Sequence, residues 1–240
     1  MLELFLSSLP TPRLLFTLAP IAAAYILAVG WLVGYLRTRR NVRTAYTRKL
    51  FHFFIITAAG VVHLAYRLPG VTVFGTVATL IVMYAVLRGQ GFPLYEALAR
   101  PSDEPHRTLF IVVPLVTTAL GGIVTNSFFA TYAFVGYLVC GWGDAVGEPV
   151  GSRWGKHTYK VPSLAGVPAK RSLEGSIAVM LLGSLAAFIG LEAAGIEWPS
   201  ALAVGLACGI AGAVVEAVST HGLDNFTTQV AAAAVAFFLL

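Results

Sequence analysis

The sequence predicts an all-α, polytopic integral membrane protein with about eight transmembrane helices, its charged residues collected at one membrane face. Three observations lead there. Of 240 residues, 58% are hydrophobic and only 11% charged, and the mean hydropathy is +0.80, a balance outside that of ordinary soluble domains. Windows without a single Asp, Glu, Lys or Arg recur along the chain, several near the roughly 20 residues that a helix needs to cross hydrocarbon. The charge that remains lies between those windows rather than inside them.

The elements follow in order. Residues 14–36 carry no charge and are stopped by Arg37-Thr38-Arg39-Arg40; the run is too long for a signal-peptide core and reads as a retained span. Residues 50–66 and 69–87 are parted by Arg67-Leu68-Pro69-Gly70, a tight turn. Residues 108–142 hold no charge and, at about 1.5 Å per residue, make one helix far longer than the membrane is thick. Gly121-Gly122 and Asn126 offer a turn near the middle, so the segment is read as a hairpin of 108–123 and 127–142. The last three spans are 175–193, 198–217 and 226–240. With this count, fourteen of the sixteen Lys and Arg residues fall in loops 37–49, 88–107, 143–174 and 218–225, and only Arg13 and Arg67 fall on the other side. The positive-inside rule then makes the basic face cytoplasmic and both termini external, in a multi-pass protein of the cell (inner) membrane.

The chain reads as one transmembrane domain over 1–240, with no soluble catalytic domain. Its longest loop, 143–174, contains Pro162, Gly166 and Pro168 and has room for a short helix or hairpin. Any active site must therefore be assembled from helix ends and loops at the cytoplasmic interface. Cys140 and Cys208 sit in apolar context, with no zinc spacing and no disulfide framework. The net charge of +5 follows the membrane, so no nucleic-acid partner is expected.

Four stretches could carry chemistry. Gly143, Gly147, Gly151 and Gly155 recur every four residues and end beside Lys156; on a helix they make a face of bare backbone that can approach a neighbouring helix or a phosphate. Asp144 and Glu148 lie four apart beside that stripe, and two carboxylates near a phosphate suit Mg²⁺, which completes its shell with phosphate oxygens and water. Pro149 argues that a helix breaks or begins there. Lys170-Arg171-Ser172-Leu173-Glu174-Gly175-Ser176 precedes a long apolar span. Ser172 and Glu174 read as a helix start, yet two cations at a helix N-terminus oppose its dipole and suit an anion site. Arg48, Lys49 and His52 open the second span, with His52 about one turn deeper; Glu216 and Asp224-Asn225 end one late span and begin the next. A carboxylate inside an apolar run needs a partner or a cavity, so Glu216 and Asp224 either join Asp144 and Glu148 around a metal or, for Asp224-Asn225, cap the last span behind a Gly222 turn.

The Arg48-Lys49-x-x-His52 start, the Gly143-Asp144 to Gly155-Lys156 run, the Lys170–Ser176 run and the late Glu216…Asp224-Asn225 stand in this order within 46–226. Together they resemble the CTP-dependent polyprenol kinases, a family that takes in phytol, farnesol, dolichol and CTP-using diacylglycerol kinases and is related to phosphatidate cytidylyltransferases. The resemblance implies transfer of the CTP γ-phosphate to the hydroxyl of a prenyl alcohol with Mg²⁺. It implies catalytic roles for Asp144, Arg48, Lys49 and Lys170, with His52 and Asn225 nearby. It implies nucleotide contacts at Gly143, Gly147, Gly151, Gly155, Lys156, Arg171, Ser172, Glu174 and Gly175, and metal ligands among Asp144, Glu148, Glu216 and Asp224. Two positions depart from the family pattern: Leu223-Asp224-Asn225, where phytol-kinase-like members often carry two acids before Asn, and Glu148, where many relatives have a small residue. The rival enzyme is a cytidylyltransferase forming a CDP-lipid from CTP. The rival from another class is a transporter, which would place charge near the midplane rather than at one interface.

Overall fold

The computed structural model describes residues 6, 8–164, 167–220 and 222–240. Among them, five helices are long and apolar enough to cross a membrane by length and composition: Pro12–Arg40, Thr44–Arg88, Leu109–Phe128, Leu173–Ala193 and Trp198–Val218. Large apolar side chains such as Phe16, Trp31, Leu80, Leu181, Ile210 and Phe238 are exposed, a surface that hydrocarbon matches and water does not. The chain is a multi-pass helical membrane protein. The helices gather into two compact units, up to Ile111 and from Val112.

In the first unit, helix α1 (Pro12–Arg40) starts at Thr11, whose Oγ1 accepts from the Leu14 N–H at 3.2 Å, and has a proline in its first turn. It ends on Arg37, Arg39 and Arg40, cations suited to the negative helix end, with Asn41 in the left-handed region at φ 53°. Helix α2 (Thr44–Arg88) is two helices, 44–66 and 68–88, separated at Arg67 with φ 55° and ψ −153°. The break falls in the turn expected from Arg67-Leu68-Pro69-Gly70. Pro69 has no N–H to donate, and its ring collides with the carbonyl four residues back in a continued helix. A short helix α3 (Pro93–Leu98) packs on α1 where Gly34 leaves room, a Cβ there lying 3.0 Å from the Cβ of Pro93.

In the second unit, α4 (Leu109–Phe128) and α5 (Ala133–Trp154) are joined by a short 3-10 turn at Ala130–Tyr132. The hairpin expected from the sequence therefore forms, but not at the residues assigned to its turn: Gly121, Gly122 and Asn126 lie inside α4. The glycines serve packing, since a Cβ on Gly121 would lie 3.0 Å from Gln229 Nε2 and one on Gly122 2.8 Å from the Tyr137 hydroxyl. Asn126 donates through Nδ2 to the Gly122 carbonyl at 2.8 Å and to the Tyr137 hydroxyl at 2.9 Å, so its polar group is satisfied without a turn. Pro149 is a second correction. It sits inside α5, which runs on to Trp154; it removes one hydrogen bond but does not end the helix.

Strands β1 (Thr158–Leu164) and β2 (Val167–Ser172) form a two-stranded antiparallel hairpin, the one sheet among the described residues. Helices α6 (Leu173–Ala193), α7 (Trp198–Val218) and α8 (Asp224–Leu239) complete the unit. Small residues set their approach: Gly209 meets Ser184 on α6, and a Cβ on Gly205 would lie 2.9 Å from the Phe188 nitrogen.

Candidate functional site

Three helix ends of the second unit meet around one guanidinium. Ser172 closes β2 and caps α6, its Oγ accepting from the Gly175 N–H at 3.1 Å, the helix start that the sequence predicts. One residue earlier, Arg171 forms an ion pair through Nη1 with Glu216 near the end of α7. Its Nη2 donates to Asp224 Oδ2 at the start of α8 at 3.0 Å and to the Ser219 carbonyl at 3.2 Å. The three side chains are only 11%, 11% and 6% exposed. Asp224 spends its other oxygen on the N–H groups of Gly222 (3.0 Å) and Asn225 (3.1 Å), around a Gly222 with φ +92°. This is the Gly222 turn expected from the sequence. Asn225 is buried and donates to Thr118 Oγ1 at 2.9 Å and the Pro114 carbonyl at 3.4 Å, tying α8 to α4.

This arrangement divides the carboxylates differently from the sequence-derived set. Glu216 and Asp224, expected beside Asp144 and Glu148 around a metal, are both engaged by Arg171, which was expected on a nucleotide. Among the described residues no group of three or more His, Cys, Asp or Glu side chains closes on a common point. Asp144 and Glu148 lie on α5, half-buried and one turn apart on the same face. Mg²⁺ takes one or two protein carboxylates and fills its shell with phosphate and water. The Asp144–Glu148 pair has the donor chemistry for that ion, while Glu216 and Asp224 stand in ion pairs with Arg171.

The glycine stripe, left open between a helix and a phosphate, meets a helix. Cβ atoms built on Gly143 and Gly147 would lie 2.9 and 2.8 Å from the Val179 methyls, and one on Gly151 would lie 2.9 Å from Ser172 Oγ. From the other side, a Cβ on Gly175 would lie 2.8 Å from the Gly147 carbonyl. Glu216 borders the same seam, its Oε1 lying 3.8 Å from where a Gly147 Cβ would stand. Gly155 closes α5, its N–H bonding to the Gly151 carbonyl at 3.0 Å. Lys156 beyond it is exposed.

The hairpin is held to the bundle by contacts that the sequence alone did not suggest. Leu173 N–H donates to the His157 carbonyl at 3.0 Å, the His157 ring nitrogen Nδ1 lies 2.8 Å from Glu174 Oε1, and the Tyr159 hydroxyl is 2.9 Å from Ser176 Oγ. Glu174 thus meets His157. Lys170 is exposed on β2. Gln229 was also missed. It is fully buried and donates to the Asn225 carbonyl at 2.7 Å; its one sequence signal is a polar residue facing an apolar span.

In the first unit, Arg48, Lys49 and His52 stand in the opening turns of α2, Lys49 buried and the other two half-buried. The start of this helix is stapled to α3: Thr44 and Thr47 donate through Oγ1 to the carbonyls of Glu96 (3.3 Å) and Ala97 (2.7 Å). Glu96 in turn accepts from Arg107 Nη2 at 2.9 Å and from the Gly91 N–H at 2.9 Å. Burial pushes the Glu96 carboxyl up, but the Gly91 and Arg107 hydrogen bonds, with the charges of Arg107 and Arg37, prevail and hold it below its ordinary value.

Fold and site together define a class: a multi-pass helical membrane protein whose acids and bases sit at helix ends and in a basic hairpin. Over 222 residues the chain is 28% identical to a phytol kinase of Synechocystis sp., an alignment taking in 90% of this chain and 89% of that protein. A likeness through nearly the whole of both chains supports a phytol-kinase-like family. No family model and no solved structure matches the chain.

Proposed function

We propose that this protein is an integral membrane lipid kinase that transfers the γ-phosphate of CTP to the hydroxyl of a polyprenol-type alcohol (phytol, geranylgeraniol, farnesol or dolichol class). The carrying observation is the end-to-end likeness to a phytol kinase. The residue pattern agrees with it, because phosphoryl transfer calls for positioning and charge neutralisation more than for covalent chemistry. The alcohol oxygen attacks the γ-phosphorus, the bond to the β-phosphate oxygen breaks, CDP leaves, and the hydroxyl proton passes to solvent. Asp144 and Glu148 are the residues that would hold Mg²⁺. That ion, when bound, would neutralise phosphate charge. Lys170 would stabilise charge on the transferring group. Arg171, engaged by Glu216 and Asp224, serves as a positioning residue that fixes the hairpin and the start of α6. The prenyl chain stays in hydrocarbon with its hydroxyl at headgroup depth, in a cell membrane with the basic face cytoplasmic.

The test is alcohol-dependent release of CDP from CTP by the full chain in vesicles. Wild type is expected to form CDP only when a prenyl alcohol is supplied, and Asp144→Asn to lose that release while keeping wild-type unfolding behaviour. Equal turnover by Asp144→Asn would remove Asp144 from the site.

A further inference from the structure

We propose that the first unit binds the phosphate of an anionic phospholipid headgroup at its basic rim, through two arginines held on aromatic rings: Arg88 at the end of α2 and Arg40 at the end of α1. Arg88 is the first charge after the apolar run 68–87. Its Nη1 donates to the Tyr84 hydroxyl at 2.8 Å, and its guanidinium carbon lies 5.8 Å from the Tyr84 ring centre and 5.3 Å from that of Phe92. Those two rings meet edge to face at 5.7 Å. Arg40 repeats the arrangement. It lies 5.7 Å over the Tyr35 ring, which stacks on Trp31 with centroids 5.6 Å apart. Trp31, Tyr35, Tyr84 and both arginines are exposed. The two clusters flank one contact, since Tyr35 follows Gly34 and Phe92 precedes Pro93, and a Cβ on Gly34 would lie 3.0 Å from the Cβ of Pro93.

The acids of this unit are spent on other bases. Residues 37–49 contain six Lys or Arg and no Asp or Glu. The three acids of loop 88–107 are engaged elsewhere, Glu96 and Glu104 by Arg107 and Asp103 by Arg100. Among the described residues neither Arg40 nor Arg88 has a carboxylate partner. The rim therefore keeps an excess of positive charge where headgroups lie. A guanidinium carries five N–H donors; the ring faces hold its plane, Tyr84 takes one donor of Arg88, and the others stay open. A phosphate accepts two of them at once, and a guanidinium gives up its water more readily than an ammonium. Tyr and Trp favour the membrane–water interface, which sets these arginines at the depth of a lipid phosphate. A snorkelling arginine merely follows water, whereas Arg88 is fixed by a hydroxyl and two rings. A soluble phosphate offers the same oxygens, but the exposed rings beside each arginine favour a lipid. The inference concerns the lipid around the protein and stands apart from the kinase reading.

The full chain is reconstituted in vesicles of phosphatidylcholine and phosphatidylglycerol, extracted in mild detergent, and its retained lipid is counted. Wild type is expected to enrich phosphatidylglycerol over the vesicle composition. Arg88→Gln is expected to cut that enrichment ~5-fold, and Arg40→Gln to lower it as well. Arg88→Lys should not restore it, because an ammonium lacks the planar fork. Tyr84→Phe keeps the charge and removes only the hydroxyl that holds Arg88, and is also expected to lower the enrichment. Arg39→Gln is the control: Arg39 is exposed at the same end of α1 with no ring contact among the described residues, and its loss should fall well short of that from Arg88→Gln. Equal losses from Arg39→Gln and Arg88→Gln, or no loss from any variant, would show only the general attraction of a basic rim and overturn the site. A second arm records melting temperatures in phosphatidylcholine nanodiscs with and without inorganic phosphate, where no Arg88-dependent gain is expected. Such a gain without phosphatidylglycerol enrichment would assign the arginines to a soluble phosphate and overturn the lipid reading. Should Arg88→Gln fail to fold in phosphatidylcholine alone, Arg40→Gln and Tyr84→Phe carry the same test.

Discussion

Replacing Arg171 with methionine keeps much of the side-chain volume and strands two buried carboxylates. At 3.0 Å from Asp224, a unit charge pair in an effective dielectric of 20 attracts by about 5 kcal/mol, most of it set against desolvation. Removing one partner from a buried pair costs about 3–5 kcal/mol, because the remaining charge stays buried without compensation. The loss should fall mainly on Glu216. Asp224 keeps the Gly222 and Asn225 N–H groups, whereas Glu216 Oε2 is buried with no hydrogen-bond partner even in the intact protein. Arg171→Met is therefore expected to lose about 3–5 kcal/mol of unfolding free energy in mixed-micelle denaturation. Arg171→Met/Glu216→Gln is expected to recover more of that loss than Arg171→Met/Asp224→Asn. A cost under about 1 kcal/mol, the range of exposed pairs, or equal recovery by the two double variants, would refute a buried Arg171-centred network with Glu216 as its dependent member.

Three further outcomes follow from the packing and topology. Gly175→Ala, which pushes a Cβ to 2.8 Å from the Gly147 carbonyl, should cost about 1–3 kcal/mol in micelle unfolding; Gly75→Ala, with nothing within 4 Å, should be neutral or gain up to about 1 kcal/mol of helix propensity. Glu96, held below its ordinary value of 4.5, contributes stability that is present above that pH and lost as pH falls through the lowered value; acid unfolding of Glu96→Gln should lack this component, and an identical pH profile would refute it. Cysteines placed at Ser127 and Ser152, toward the two ends of the α4–α5 hairpin, should label from opposite sides of sealed vesicles, with Cys140 and Cys208 buried and silent; labelling from one side would show that α5 does not cross.

How much of this was legible in the sequence depended on whether the deciding forces were local. Helix starts and stops at Arg67, Ser172 and Asp224 are set by proline, capping and turn chemistry within a few residues, and each falls where the sequence puts it. The turn assigned to Gly121-Gly122 and Asn126 was misplaced because those residues answer to distant partners: Gln229 and Tyr137 fill the space above the glycines, and Asn126 bonds across to Tyr137. Pro149 misled for a related reason, since α6 packed along the Gly143–Gly151 face holds α5 helical through the missing hydrogen bond. The site residues were found by type but not by partner. Nothing local says that Arg171 pairs with residues 45 and 53 positions away.

The central claim concerns which phosphate moves and where it goes. The direct measurement gives the full chain in vesicles CTP labelled at either the γ or the α phosphorus, with phytol, geranylgeraniol or farnesol, and counts label extracted with lipid. A kinase carries the γ label into the lipid and leaves the α label in water as CDP, and that is the result expected here. Label from the α position entering lipid with phosphatidic acid as acceptor would contradict the account and make the protein a cytidylyltransferase; no label in lipid from either position, with alcohols or phosphatidic acid, would contradict it in favour of a transporter.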